Sequence, residues 1–310
     1  MTGRAFRRAL TGIVGDEAPA VVHAHHPHEV GRAALHAARA RGVPFVYELR
    51  CFNGDYDLDS PRLSKRLRGR RVNALELDVA RRADAVVTIS DGLADRLRAG
   101  GVAADRIHIV RNAVDTDRFA TAPARTDGAG DLHVGYATTF EAMENLDGLV
   151  EAVALLRKRR PGLRLRATLM GTGRDFDRIE GLVARAGLND VIDLPGFVPY
   201  SQMPDRLGAL DLFVVPRRAA AVSSGTTPLK PLEALSVGLP VLSSDLPALR
   251  ELMGHSPAAR FVPPTPEGLA QGIERFADAP WPRSEGIEAR SWRREVHRYA
   301  DVYAAAGARP

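Results

Sequence analysis

This sequence predicts an α/β protein with two Rossmann-like, doubly wound domains. Three observations carry that expectation. Short β-branched runs alternate with helical patterns from end to end, the alternation breaks once and then restarts, and 310 residues suffice for two cored domains but not comfortably for three.

In the first half, Val21-Val22-His23-Ala24 opens as a short strand ending in polar groups. Val30 to Ala40 has helical spacing and Gly42 stops it; Pro44 to Leu49 is the next strand. A polar loop, Phe52 to Asp59, leads to a long helix ending near Arg82. Ala85-Val86-Val87-Thr88-Ile89 is a buried strand, Ser90 or Asp91 caps the next helix, and Ile107 to Val110 is a fourth strand. Thr121 to Gly130 is rich in Ala, Gly, Pro and Thr and is expected to link the domains. Strands then recur near Leu132–Ala137, Arg164–Met170, Val191–Leu194, Leu212–Val215, Pro240–Leu242 and Ala259–Val262. A last helix, Trp292 to Ala305, puts Trp292, Val296, Tyr299 and Tyr303 on one packing stripe. The expected domains are therefore 1–120 and 131–285, joined by 121–130, with 286–310 packing back toward the first. In such folds ligands bind at the carboxyl ends of the strands, here expected between the domains.

Composition limits the function classes. The one cysteine, Cys51, rules out an internal disulfide framework and suits a reducing compartment. No apolar run approaches the roughly 20 residues that span a bilayer, and the first residues have no signal-peptide core, so a cytoplasmic protein is expected. The net charge of +5 is clustered, in Arg62, Lys65, Arg66, Arg68, Arg70 and Arg71, and again in Arg157 to Arg160, Arg164 and Arg166. Such stretches fit an anionic membrane at its inner face, or are simply solvated. Neither zinc spacing nor interleaved aromatics supports nucleic-acid binding.

Several segments fall where chemistry is expected. Thr226-Thr227-Pro228-Leu229-Lys230-Pro231-Leu232-Glu233 reads as a helix start, with Thr227 as N-cap and Pro228 in the first helical position. Free amides there attract an anion, Lys230 adds positive charge, and Glu233 is near enough to meet a sugar hydroxyl. The same spacing also fits an ordinary amphipathic helix packed on a sheet. His23, His25, His26 and His28 suggest acid–base work or contact with a substrate hydroxyl; no Cys or acidic ligand set accompanies them, so no metal is expected. Gly135-Tyr136-Ala137-Thr138-Thr139-Phe140 and Gly171-Thr172-Gly173-Arg174 each follow a strand, as phosphate-approach loops or plain tight turns. Gly196-Phe197 can offer backbone groups to a nucleobase, and Pro216-Arg217-Arg218 an arginine fork to a diphosphate.

Together these segments resemble family 4 glycosyltransferases of the GT-B fold, over nearly the whole chain. The resemblance rests on His23-Ala-His-His-Pro, Pro44-Phe-Val-Tyr-Glu-Leu-Arg50, Arg82-Ala-Asp-Ala-Val-Val-Thr-Ile-Ser90 and Val110-Arg-Asn-Ala-Val-Asp-Thr-Asp-Arg-Phe119 in the first half. In the second it rests on Gly135-Tyr, Gly171-Thr-Gly, Gly196-Phe-Val-Pro and Thr227-Pro-Leu-Lys-Pro-Leu-Glu-Ala-Leu, the last resembling the exopolysaccharide-linked branch. It implies retaining transfer from a nucleotide-diphosphate sugar, of UDP or GDP type, without a metal or other cofactor, to a sugar, lipid-linked or small-molecule acceptor. By position, Glu233 would hold the donor ribose, Thr226 and Thr227 amides with Arg217 and Lys230 the diphosphate, and the Phe197 backbone the base. Gly135, Thr138, Thr139, Gly171, Arg174 and Gly225 complete the implied donor side; His25 would sit at the reacting sugar, and His23, Glu48 and Arg50 would serve the acceptor. No nucleophile is evident, so a front-face mechanism is implied, with the leaving phosphate assisting deprotonation of the acceptor.

Three departures accompany the resemblance. Gly225 stands where the family often has a glutamate that touches the donor sugar, Asn112-Ala113 replaces Asn-Gly, and the first domain is expected to lack its opening strands. An open edge beside Val21–Ala24 follows, to be closed by a partner chain or by residues upstream of a late start, or left as a natural truncation. Two other functions stay open at this point: a non-catalytic nucleotide-sugar-binding subunit and a UDP-sugar epimerase.

Overall fold

A computed structural model describes residues 3–120 and 131–308; the expected linker at 121–130 lies outside the described residues. The chain forms two compact units. The first comprises Met1–Asn112, Ala220–Thr227 and Arg293–Pro310, and the second Ala113–Ala219 and Pro228–Trp292.

The first unit holds a parallel four-stranded sheet in sequential order: β1 (Val22–His25), β2 (Phe45–Leu49), β3 (Ala85–Thr88) and β4 (Ile107–Ile109). Its inner strands β2 and β3 are buried throughout, with Glu48 and Thr88 as their polar residues, because both faces are covered. On β2, Phe45, Tyr47 and Leu49 join a core with residues of the helices His28–Arg41 and Leu63–Arg82. The alternate residue Val46 packs with Ala85, Val87 and Val110 against Val302 and Ala306. Strand alternation thereby places Glu48 on the face covered by the C-terminal helix Arg298–Ala305. Among the described residues β1 pairs with β2 alone, so it is an edge strand.

The expected C-terminal helix is divided. Trp292–Glu295 is one short turn, and Arg298–Ala305 a second helix. Tyr299 and Tyr303 pack, as the stripe predicted, whereas Trp292 and Val296 are exposed.

The second unit holds six parallel strands: β5 (Leu132–Ala137), β6 (Leu165–Met170), β7 (Ile192–Gly196), β8 (Leu212–Val215), β9 (Val241–Ser244) and β10 (Ala259–Val262). Their order is β10-β9-β8-β5-β6-β7. From β5 the chain adds strands outward on one side, then returns to add β8 on the other. That reversal makes the carboxyl ends of β5 and β8 the natural ligand position within this sheet. Strands β8 and β9 are wholly buried, and Leu146–Arg159 and Pro266–Asp278 are among the flanking helices that contribute to the core.

Candidate functional site

In the first unit the polar residues gather on Glu48. Register pairs His25 with Glu48 and His23 with Val46, so both imidazoles share a face with the carboxylate. His23 Nε2 lies 3.3 Å from Glu48 Oε2, and His25 Nδ1 lies 3.4 Å from Oε1. Tyr299 donates its hydroxyl to Oε2 at 2.8 Å, and Arg50 Nη1 donates to Oε1 at 3.2 Å. Burial by itself would push this carboxyl up; the close His23 imidazole and the Tyr299 hydrogen bond, with the charges of His25 and Arg50, outweigh it and hold Glu48 down at about 2. Glu48 is fully buried, while the His25 side chain is 57% exposed.

The network continues beyond Arg50. Its Nη2 donates to Asn112 Oδ1, and Asn112 Nδ2 donates to the Thr227 carbonyl at 2.6 Å and to Thr227 Oγ1 at 3.1 Å. The adjoining Gly225 carbonyl accepts from Ser90 Oγ at 2.8 Å, and Ser90 also caps the helix Asp91–Ala99 through the Leu93 amide. An added Cβ at Gly225 would lie 3.0 Å from the Leu93 side chain, so this loop packs close to that helix where the family often places a glutamate.

Contrary to expectation, Thr227 does not cap the next helix and Pro228 does not open it. That helix runs Lys230–Ser236, begins after Leu229, and has no side-chain cap. The Thr227 hydroxyl is drawn instead to Asn112, a tertiary contact that the local motif does not report. Gly225, Thr226 and Thr227 thus belong to the first unit, and Lys230 and Glu233 to the second.

In the second unit Glu233 is buried, and Lys230 Nζ donates to its Oε2 at 3.0 Å. Burial raises the Glu233 carboxyl above its usual range, against the opposing charge of Lys230. Lys230 Nζ also lies 5.6 Å from the centre of the Tyr200 ring, over which Arg118 is stacked at 4.9 Å.

The carboxyl ends of β5, β6 and β7 converge. Thr138 N donates to the Met170 carbonyl, and Gly171 N to the Gly196 carbonyl. Gly171 has φ +131°, and a Cβ there would meet the Thr138 carbonyl at 1.8 Å; one on Gly173 would meet the Phe140 carbonyl at 2.5 Å. Both glycines are required by close backbone approach. Thr139, Gly173, Arg174 and Phe197 stand exposed around this edge, Phe197 conspicuously at 74%.

Two residues have roles that differ from those expected. Gly135 lies inside β5, where a Cβ would meet the Leu210 side chain at 2.5 Å, so its smallness serves packing. Arg217 is not an open fork: it is 6% exposed and grips Glu144 through Nη2 at 2.7 Å and Nε at 3.1 Å. Tyr136 donates to the same carboxylate. Asn112, Glu144, Tyr299 and Tyr303 were not among the expected site residues. Asn112 was visible within the Val110–Phe119 motif and the tyrosines within the last helical stripe, but their partners are distant in sequence.

The ligand atoms of His23, His25 and Glu48 lie within 4.8 Å of one another, close enough to gather one divalent ion. The Arg50 guanidinium on Glu48 Oε1 would oppose it.

Two parallel, helix-covered sheets with glycine turns at their carboxyl ends define a GT-B glycosyltransferase fold. The chain belongs to the family described as glycosyl transferases group 1, whose profile matches residues 126–292, and residues 2–113 match the glycosyl transferase 4-like domain. It is 29% identical over 199 residues to the putative colanic acid biosynthesis glycosyltransferase WcaL of Escherichia coli, covering 64% of this chain and 48% of that protein. It is 28% identical over 269 residues to 2-deoxystreptamine glucosyltransferase of Streptomyces kanamyceticus, covering 83% of this chain and 67% of that one. The match thus spans about half the length of WcaL. Among solved structures, sucrose-phosphate synthase of Thermosynechococcus elongatus superposes with a TM-score of 0.79 at 21% identity, over 96% of this chain and 76% of that one. Anabaena HepE in complex with UDP gives 0.70 at 18%, over 97% and 75%. These two likenesses bear on the fold alone.

Proposed function

We propose that this chain transfers a sugar, with retention, from a nucleotide-diphosphate sugar of UDP or GDP type to a hydroxyl acceptor in polysaccharide, glycolipid or glycoside assembly. The observation that carries the reading is Glu233, a buried carboxylate whose partner among the described residues is Lys230. A carboxylate accepts more hydrogen bonds than one lysine supplies, and ribose hydroxyls are suitable donors. The Thr226 and Thr227 amides and Lys230 are assigned to the diphosphate, the Gly171–Arg174 turn with Thr138 and Thr139 to the donor, and the Phe197 backbone to the base. As the glycosidic bond breaks, the leaving diphosphate gains negative charge, and preset amides and a cation stabilise it more in the transition state than before it. Arg217, already committed to Glu144, is assigned to support of this loop. His25 is assigned to the reacting sugar, and His23, Glu48 and Arg50 to the acceptor side.

The transfer is proposed to need no metal, because Tyr299 and Arg50 already engage the Glu48 carboxylate. EDTA should leave turnover unchanged. The deciding experiment is a thermal-shift screen of UDP- and GDP-sugars on the wild type and Glu233→Ala. A ligand held at about 100 times its Kd should stabilise the folded state by about 2.7 kcal/mol. A selective shift lost in the variant is expected; no shift, or one that persists in the variant, would sink the reading. Turnover with retained anomeric configuration separates transfer from binding alone and from epimerisation.

A further inference from the structure

The C-terminal helix Arg298–Ala305 does more than cover the sheet. We infer that Tyr299 and Tyr303 are positioning residues: Tyr299 holds the Glu48 carboxylate in the orientation that fixes the protons facing it on His23 and His25, and Tyr303 engages the other ring nitrogen of His23. The inference rests on the functional reading above for its consequence, but not for its geometry.

The argument is one of donors and acceptors. An ionised carboxylate only accepts. Tyr299 OH and Arg50 Nη1 supply one proton to each oxygen of Glu48, at 2.8 and 3.2 Å. The two imidazole nitrogens facing this carboxylate, His23 Nε2 at 3.3 Å and His25 Nδ1 at 3.4 Å, must then carry their protons to be attracted to it. For His23 this leaves Nδ1 as an acceptor, and Tyr303 OH lies 3.1 Å from it, available to donate. For neutral His25 it leaves Nε2 as the lone-pair nitrogen of a half-exposed ring, able to accept from a sugar hydroxyl. The rings of His23 and His25 stack 5.1 Å apart and 10° from parallel, so both face the same carboxylate side by side. A histidine whose second nitrogen is fixed by a partner has its tautomer set by that partner. Here Tyr303 reaches His23 from 280 residues away in the chain, and Tyr299 reaches Glu48 from 251 away.

The test is tautomer-resolved 15N NMR of the imidazoles in the full chain, without ligand, for wild type, Tyr299→Phe and Tyr303→Phe. Both substitutions keep the ring and remove only the hydroxyl. His25 should be the Nδ1–H tautomer in wild type and a mixture in Tyr299→Phe, while Tyr303→Phe should move the His23 signals. With a nucleotide sugar and acceptor, Tyr299→Phe should lower kcat about 10-fold with the donor KM changed less than 2-fold, the pattern of an interaction that acts in the transition state. An unchanged His25 tautomer in Tyr299→Phe overturns the inference, whether or not the protein turns over. If Tyr299→Phe fails to fold, unchanged His23 signals in Tyr303→Phe overturn it. Absence of turnover in the wild type, with the tautomer shifts as expected, would refute the functional reading and leave the positioning role standing.

Discussion

Arg217 and Glu144 illustrate how little a residue's type says about its task until its partners are known. Pro216-Arg217-Arg218 reads as an anion fork, yet Arg217 spends its planar donors on a buried carboxylate that also accepts from Tyr136. Removing one member of a buried ion pair strands the other, at a cost of about 3–5 kcal/mol, whereas replacing both with apolar groups is often close to neutral. Arg217→Met should therefore lower the urea-unfolding free energy by about that amount. The double variant Arg217→Met with Glu144→Leu should be more stable than either single variant. Additive losses would show that the two do not act as a pair. Its neighbour Arg218 is exposed, reaching Asp147 and the Ala142 carbonyl.

At the scale of elements, Leu212–Val215 was legible because burial on both faces leaves an unbroken apolar run, and the others because short apolar stretches recur between helical patterns. Leu132–Ala137, Leu212–Val215 and Ala259–Val262 have the expected bounds. Caps and partners were not legible in the same way. Thr227 has every local attribute of an N-cap, but Asn112, far off in sequence, takes its hydroxyl. The two basic stretches also look alike in sequence and differ once folded. In the second, Arg157 pairs with Asp190, Arg160 with Glu274 and Asp278, and Arg164 with Asp131. In the first, Arg68 pairs with Asp57, while Arg62, Arg66, Arg70 and Arg71 have no ion pair among the described residues. Leu63 and Leu67, one helical turn apart, are exposed among them at 60% and 53%. No helix among the described residues is long and apolar enough to cross a membrane. A basic, partly apolar helix face suits the surface of an anionic one. Co-sedimentation with phosphatidylglycerol vesicles is expected at low salt. It should weaken as sodium chloride rises. It should fall about 30-fold in Leu63→Ser with Leu67→Ser, since two leucines that insert partway contribute roughly 1 kcal/mol each. Binding indifferent to both salt and the leucines would assign this face to solvent.

At the scale of the whole molecule, the first unit is assembled from three separate stretches of chain, and the last of them contributes to its core. Val46, Ala85, Val87 and Val110 pack against Val302 of the helix Arg298–Ala305 and Ala306 at its end. Composition and periodicity could announce that this helix packs, but not that it shields the face bearing Glu48. That follows from strand parity, which sends Val46 and Glu48 to one side of β2 and Tyr47 to the other. Val302 is 1% exposed. Truncating it to alanine removes two buried carbons at about 0.8 kcal/mol each, and a partly relaxed cavity adds to the loss. Val302→Ala should thus cost about 2–3 kcal/mol. It should also raise amide hydrogen exchange in β2 and β3, because local opening of the covering helix releases their outer face. Exchange in those strands that matches the wild type would mean that the sheet holds without its C-terminal cover. Tyr299 and Tyr303 would then touch Glu48 and His23 as passengers on a loosely docked helix rather than as parts of a rigid support. If exchange rises as expected, one helix both closes the core and holds the histidine network, so loosening its packing should disturb the His25 tautomer even with both tyrosine hydroxyls intact.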